Sequence, residues 1–226
     1  MTEKFVDIWH GDILPAEPEE QDYYLLLNAE EKEKAATFKR LEVQKKYIKT
    51  RGVLRKVLGS YVNEHPQQLV IKTAEHGKPF LEQQDLSFNL SHTANRFVIA
   101  VSNCGEIGID LEQHRERVNF LGLVNKCFSD EEKDYWLTLP EEQKATMFYR
   151  FWVRKEAFVK AVGRGIALGL DQCVINPQKQ SRFIRVPSEY KAAIDWNIVD
   201  IELNNKDICA MVLRTAQFRY QQIAVK

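Results

Sequence analysis

The chain has 226 residues, 44% of them hydrophobic and 28% charged, with 32 Lys or Arg set against 32 Asp or Glu. That composition suits a globular chain able to bury a sizeable core, and it excludes disorder as the overall state. A formal net charge of zero argues against a general nucleic-acid binder, and no apolar run reaches the roughly 18 residues that would suggest a membrane span.

Cys104, Cys127, Cys173 and Cys209 lie far apart, with no C-x-x-C pair, and the five histidines show no zinc spacing. With no secretory signal in Met1 to Asp12, reduced thiols and a cytoplasmic location are expected.

Phe5 to His10 reads as a short strand with Val6 and Ile8 on one face. A Pro- and acid-rich segment follows through Glu20. Asn28-Ala29-Glu30-Glu31 predicts a capping box that opens a helical region running to about Val62. A break at Arg40 to Glu42 divides it into one short and one long helix. The region is polarised in charge. Lys32 to Lys56 holds ten Lys or Arg against Glu33 and Glu42, whereas Glu3 to Glu31 holds nine acids against Lys4. Such a basic helix is either a solvated face or a phosphate site.

Leu69 to Thr73 reads as a strand and His76-Gly77-Lys78-Pro79 as a turn. Leu86 to Leu90 is a further strand, ending at Ser91-His92. Phe97 to Val101 is a buried strand, and Gly105 turns the chain into Ile107-Gly108-Ile109-Asp110-Leu111-Glu112. Alternation puts Ile109 and Leu111 on one face and Asp110 and Glu112 on the other. Their Cα atoms then stand about 7 Å apart, so both carboxylates can reach one hard divalent cation. The plain alternative is a strand with a solvated acidic face.

Val118 to Cys127 carries Phe120, Leu121, Leu123, Val124 and Lys126, with Arg115 and Arg117 nearby. It is either a buried helix or loop or an apolar surface with basic edges. Ser129 is an N-cap with Glu132 as its capping-box partner. Leu139-Pro140 opens a helix that runs to about Ala161 and stops at Gly163. Phe148, Phe151, Trp152, Phe158 and Val159 form its apolar face. Glu156 and Lys160 are i,i+4 neighbours, which alone implies no more than a surface ion pair. Beyond Gly165 the pattern is β over Cys173–Ile175, Phe183–Val186, Trp196–Leu203 and Ile208–Leu213, with antiparallel pairing.

Five motifs in order decide how these segments are read together. They are Gly77-Lys78-Pro79, Phe88-Asn89-Leu90-Ser91-His92, G-I-D-x-E at 108–112, F-S-x-x-E at 128–132 and W-x-x-K-E-A-x-x-K at 152–160. In this order they resemble the 4′-phosphopantetheinyl transferases of the Sfp type, in the pseudo-duplicated subclass. The resemblance implies an α+β fold of two similar halves, 1–103 and 104–226. Each would be a long helix packed on a small antiparallel sheet, with the active site between them.

The implied activity is transfer of the 4′-phosphopantetheine arm of coenzyme A to a serine of an apo acyl or peptidyl carrier protein, releasing 3′,5′-ADP. Fatty-acid, polyketide and nonribosomal peptide synthesis all use such carriers. Asp110, Glu112 and Glu156 are the implied ligands of Mg²⁺, and Mn²⁺ suits the same oxygens. Glu156 is third ligand or base, acting directly or through a metal-bound water, and Lys160 meets phosphate oxygens. Lys34, Lys45 or Lys46, Lys78, Pro79, Ser91 and His92 hold the nucleotide end, and Asp110 also borders it. Glu31 stands where the family's first cation is expected, which leaves Lys34 in register. Glu132 is an added polar contact. The carrier would dock on Val118 to Cys127, and a monomer with no nucleic-acid or membrane partner is expected. The competing readings are a Mg²⁺-dependent phosphohydrolase and a non-catalytic carrier-binding module.

Overall fold

In the computed structural model, residues 3–13, 18–82, 85–115, 118–215 and 217–225 are described. The chain opens with β1 (Phe5–Asp12), α1 (Pro18–Leu25), α2 (Ala29–Ala36) and α3 (Leu41–Val62). β2 (Ile71–Thr73), β3 (Pro79–Leu81), β4 (Ser87–Thr93) and β5 (Arg96–Ser102) complete the first half. The second half repeats this order. β6 (Ile107–Gln113) is followed by α4 (Phe120–Cys127), α5 (Asp130–Thr138) and α6 (Glu141–Ala161). Then come β7 (Val174–Ile175), β8 (Phe183–Arg185), β9 (Asn197–Ile201), β10 (Asp207–Leu213) and β11 (Arg219–Ala224).

Leaving β11 aside, the two halves share one topology. In each half the opening strand pairs with the last, and the last with the penultimate, giving β1-β5-β4 and β6-β10-β9. These ladders are antiparallel, and so are the small hairpins β2-β3 and β7-β8. Antiparallel pairing fails at one place. β11 joins β1 in parallel register, from Phe5 against Arg219 to His10 against Ala224. This C-terminal strand therefore closes on the N-terminal sheet. Sequence pattern misses it because Arg219-Tyr220-Gln221-Gln222 is polar and exposed throughout, with no buried face to alternate. The helix α1 likewise begins inside the stretch read only as Pro- and acid-rich and runs on to Leu25.

Three cores hold these layers. Ile48, Val53, Leu54 and Leu58 of α3 pack on Phe88, Phe97, Ile99 and Val101 of the first sheet. Phe148, Phe151, Phe158 and Val159 of α6 pack with Trp136, Phe183 and Trp196 in the second half. Between the halves, Val6, Ile8, Val98 and Ala100 meet Ile109, Leu111, Met211 and Leu213. Each fully buried aliphatic side chain contributes roughly 1.5–3 kcal/mol, so this shared core locks the two sheets together. Among the described residues no helix is long and apolar enough to cross a membrane.

Glu132 has a structural task. It closes the capping box with Ser129, accepts from the Ile175 amide at 2.7 Å, and pairs with Lys155 at 2.5 Å. Both side chains are 0% exposed. The Lys155 ammonium also donates to the carbonyls of Cys127 and Leu170. Losing one partner of a buried pair strands the other charge, a penalty of about 3–5 kcal/mol. Glu132 therefore fixes α5 and β7 to α6, which accounts for its place in the motif without any contact to a ligand.

Gly108 sets how closely α6 approaches β6. A Cβ built there would stand 2.0 Å from the Ala157 carbonyl oxygen and 2.4 Å from the Ala161 nitrogen. Both obstacles are backbone, so relief requires the helix to shift. Gly108→Ala is expected to destabilise the protein by about 3 kcal/mol or more, the upper range for forced overpacking. Urea melts read this directly, and an unchanged midpoint would refute the close approach.

Candidate active site

β4 and β6 are the facing edges of the two sheets, and side chains bridge them. Asn89, Ser91 and Thr93 share one side of β4 by period two. Asn89 Oδ1 accepts from the Ile109 amide at 2.9 Å. Ser91 Oγ accepts from the Leu111 amide at 3.3 Å and donates to Asp110 Oδ1 at 2.8 Å. Thr93 Oγ1 donates to Glu112 Oε2 at 3.1 Å. Ser91 and His92 thus lie within a strand rather than at its end, because β4 runs on to Thr93 to keep this seam.

α6 closes the site from above. The Lys160 ammonium donates to Asp110 Oδ1 at 2.6 Å and to Ser91 Oγ at 2.9 Å. It does so in place of pairing with Glu156, so the surface ion pair suggested by spacing is not formed. Glu156 and Asp110 are buried, and Glu156 Oε1 and Asp110 Oδ2 have no hydrogen-bond partner. Burial pushes the Glu156 carboxyl up to about 7, and the nearby Asp110 charge adds to the rise against the opposing pull of Lys160.

Two buried carboxylate oxygens without donors fit a divalent cation that takes oxygen ligands. Yet among the described residues no three His, Cys, Asp or Glu side chains are drawn together as a metal-holding group. The three-carboxylate set expected from sequence is therefore not closed. Lys160 neutralises Asp110, while Arg115 holds Glu112 Oε2 at 2.9 Å beside Thr93. These cations of the chain itself offset the repulsion between the acids.

The expected nucleotide-binding residues are only partly gathered here. His76, Lys78, Pro79, Asn89, Leu90 and Lys160 line a cavity of about 210 Å³ between the halves. His92 is exposed, and its imidazole is pulled below its ordinary range by burial of part of the ring and by the Lys160 and Lys46 charges. Lys46 therefore reaches this neighbourhood from α3, where it also pairs with Glu42 at 2.8 Å. Lys45 is half-buried on the same helix, and Lys34 lies over the Tyr47 ring at 5.8 Å. Lys78 departs from expectation. Its ammonium donates to the carbonyls of Ile107 at 3.1 Å and Ala161 at 2.6 Å.

Glu31 explains its own departure from the expected cation. It is a buried capping-box carboxylate that receives Arg51 at 2.6 Å and pairs with Arg55. An acid here neutralises two helix cations that a lysine would repel. Asn89 and Thr93 were not anticipated as site residues. The signal available was their alternation with Ser91, with Phe88 and Leu90 on the intervening positions. Arg117 lies outside the described residues.

Two family models match this chain. One, described as the 4′-phosphopantetheinyl transferase superfamily, covers residues 106–212, and one described as 4′-phosphopantetheinyl transferase, N-terminal, covers 14–104. A relative in Nostoc sp. strain PCC 7120, 4′-phosphopantetheinyl transferase HetI, is 32% identical over 221 residues, 96% of this chain and 90% of its own. The chain belongs to the 4′-phosphopantetheinyl transferase family. 4′-Phosphopantetheinyl transferase Sfp of Bacillus subtilis is 28% identical over 159 residues, 70% of each chain. The putative transferase slr0495 of Synechocystis is 34% identical over 155 residues, 67% of this chain and 63% of its own.

Glu156 generates a stability test for this family member. Its folded value near 7 lies above the unfolded 4.5, so the native state without metal binds the proton more tightly. That contribution is full below about pH 4.5 and is lost as pH rises through about 7. With divalent ions chelated, Glu156→Gln should be more stable than the parent by up to about 3 kcal/mol at pH 8. The gap should close toward pH 4.5 and narrow when Mg²⁺ saturates the parent. A pH-independent difference in melting midpoint would contradict the buried, proton-hungry carboxyl.

Proposed function

We propose that this 4′-phosphopantetheinyl transferase moves the phosphopantetheine arm of coenzyme A to a serine of an apo carrier protein at the seam between β4, β6 and α6. Residues 1–103 would bind the nucleotide end and residues 104–226 would carry the metal and the chemistry. The observation that carries this reading is the pair of unpartnered buried oxygens, Asp110 Oδ2 and Glu156 Oε1, beside Lys160.

In the proposed step the serine Oγ of the carrier attacks the phosphorus that bears pantetheine. A new P–O bond to serine forms, the P–O bond to the nucleotide breaks, and 3′,5′-ADP leaves with that electron pair. The serine proton passes to a base. Glu156, a buried carboxylate with one oxygen unpartnered, is the candidate for this role, as base or as third metal ligand. Asp110, Glu112 and Glu156 would hold Mg²⁺, with Mn²⁺ an equivalent, and the ion would neutralise pyrophosphate oxygens when bound. Lys160 is placed to exchange its contact with Asp110 for a phosphate oxygen. Lys34, Lys45 and Lys46 would attract the remaining phosphates from α2 and α3, with His92 and Ser91 at the near edge.

The carrier surface fits α4. Val124 and Cys127 are buried, whereas Leu121 is 52% exposed and Lys126 is exposed in the last turn of the same helix. An apolar contact with a basic edge complements the acidic helix that carriers present beside their serine. One chain supplies both halves of the site, which supports a monomer. Among the described residues all four cysteines are free, which supports a reducing cytoplasm.

Incubation with coenzyme A, Mg²⁺ and an apo carrier protein should add one phosphopantetheinyl group to the carrier, read by intact mass. Asp110→Ala should abolish both the transfer and the divalent-ion dependence of coenzyme A binding. Near-normal turnover of that variant at saturating Mg²⁺ would remove Asp110 from the metal site.

Replacing Lys34, Lys45 or Lys46 by Ala should mainly weaken coenzyme A binding, by roughly 1.5–3 kcal/mol per charge-assisted contact. The variant that loses the 3′-phosphate contact should no longer discriminate coenzyme A from its dephospho form. If all three variants discriminate as well as the parent, the phosphate group sits elsewhere.

A further inference from the structure

The lysine of the Gly77-Lys78-Pro79 turn is spent on backbone. Its ammonium donates to Ala161 O at 2.6 Å, in the last turn of α6, and to Ile107 O at 3.1 Å, at the first residue of β6. These two carbonyls belong to the helix that carries Glu156 and Lys160 and to the strand that carries Asp110 and Glu112. Lys78 itself comes from the other half of the molecule. It is therefore a three-way tie between the nucleotide-side turn and the two catalytic elements.

The end of α6 is built to receive it. The Gly163 amide bonds the Lys160 carbonyl at 3.2 Å, and the Arg164 amide bonds the Val159 carbonyl at 3.1 Å. With Gly163 at φ +74° this is a Schellman closure, which uses the carbonyls one and two residues before Ala161. The Ala161 carbonyl is left for the ammonium, and a cation there also meets the negative end of the helix dipole. Gly163 makes room for the stem. A Cβ at that position would stand 3.2 Å from Lys78 Cδ and 3.5 Å from its Cβ.

We propose that Lys78 is a positioning residue for the transfer reaction, which caps α6 and pins it to β6 so that Glu156 and Lys160 stand correctly against Asp110. The proposal rests on the transferase reading above and replaces the phosphate contact that the family resemblance implies. Two of the ammonium's three donors are directed to carbonyls, an arrangement a phosphate would have to break.

The test compares the full-length parent with Lys78→Met, which keeps the stem and loses the donors. Three readings are taken: hydrogen exchange at amides 160–165 of the free protein, the Kd for coenzyme A with Mg²⁺, and single-turnover transfer to an apo carrier. The proposal expects exchange at the end of α6 to rise tenfold or more. It expects the transfer rate at saturating coenzyme A to fall tenfold or more, with Kd held within threefold. A Kd weakened tenfold or more, or exchange left unchanged, overturns it. If Lys78→Met does not fold, Lys78→Gln is read against the same thresholds. Failure of this proposal leaves a parent that still modifies the carrier, whereas failure of the transferase reading leaves a parent that does not.

Discussion

The contact between the two sheet edges is the constraint on which the rest depends. β4 and β6 do not share a backbone ladder. They are joined by Asn89, Ser91 and Thr93, whose side chains take the amides of Ile109 and Leu111 and a carboxylate oxygen of Glu112. An open strand edge is ordinarily a liability for aggregation. Here the edge of β6 is satisfied by polar side chains from the other half, and those same groups orient the acids. Ser91 illustrates this economy, since one hydroxyl serves an amide, Asp110 and Lys160. The shared core of Val6, Ile8, Ile109, Leu111 and Met211 supplies the apolar force that keeps the edges in place.

Electrostatics follow from that placement. Gly108 lets α6 lie on β6 at backbone distance, so Glu156 is carried into a buried space that Asp110 already occupies. Desolvation alone would favour neutral acids there. Lys160 compensates one of them, and the other is left proton-hungry with an oxygen unpartnered. The second buried pair, Glu132 with Lys155, shares the same helix and serves a different end. It is fully enclosed and fully bonded, so it holds α6 in place while Glu156, one residue along, remains available.

Much of the fold was legible because the long helices and buried strands carry strong periodic signals. α3 and α6 follow from their apolar spacing, and the starts of α2 and α5 and the end of α6 follow from Asn28, Ser129 and Gly163, whose capping roles are read from residue type. Asp110 and Glu112 on one side of β6 follow from alternation. What resisted reading were the features made by tertiary contact. β11 has no hydrophobic alternation and exists because β1 offers an edge. Lys78 looks like any turn lysine until Ile107 and Ala161 are brought to it. Lys160 is within one turn of Glu156, yet it answers to Asp110 on another element.

The central claim is that Glu156 takes part in the chemistry at this seam. Glu156→Gln keeps the size of the side chain and removes its charge and proton-accepting capacity. In a single-turnover measurement with coenzyme A, Mg²⁺ and an apo carrier, the account predicts a transfer step slower by ~10²–10⁴, the usual worth of a positioned base. Coenzyme A binding should stay within about tenfold of the parent, because Asp110 and Glu112 remain. A transfer rate within threefold of the parent would contradict it.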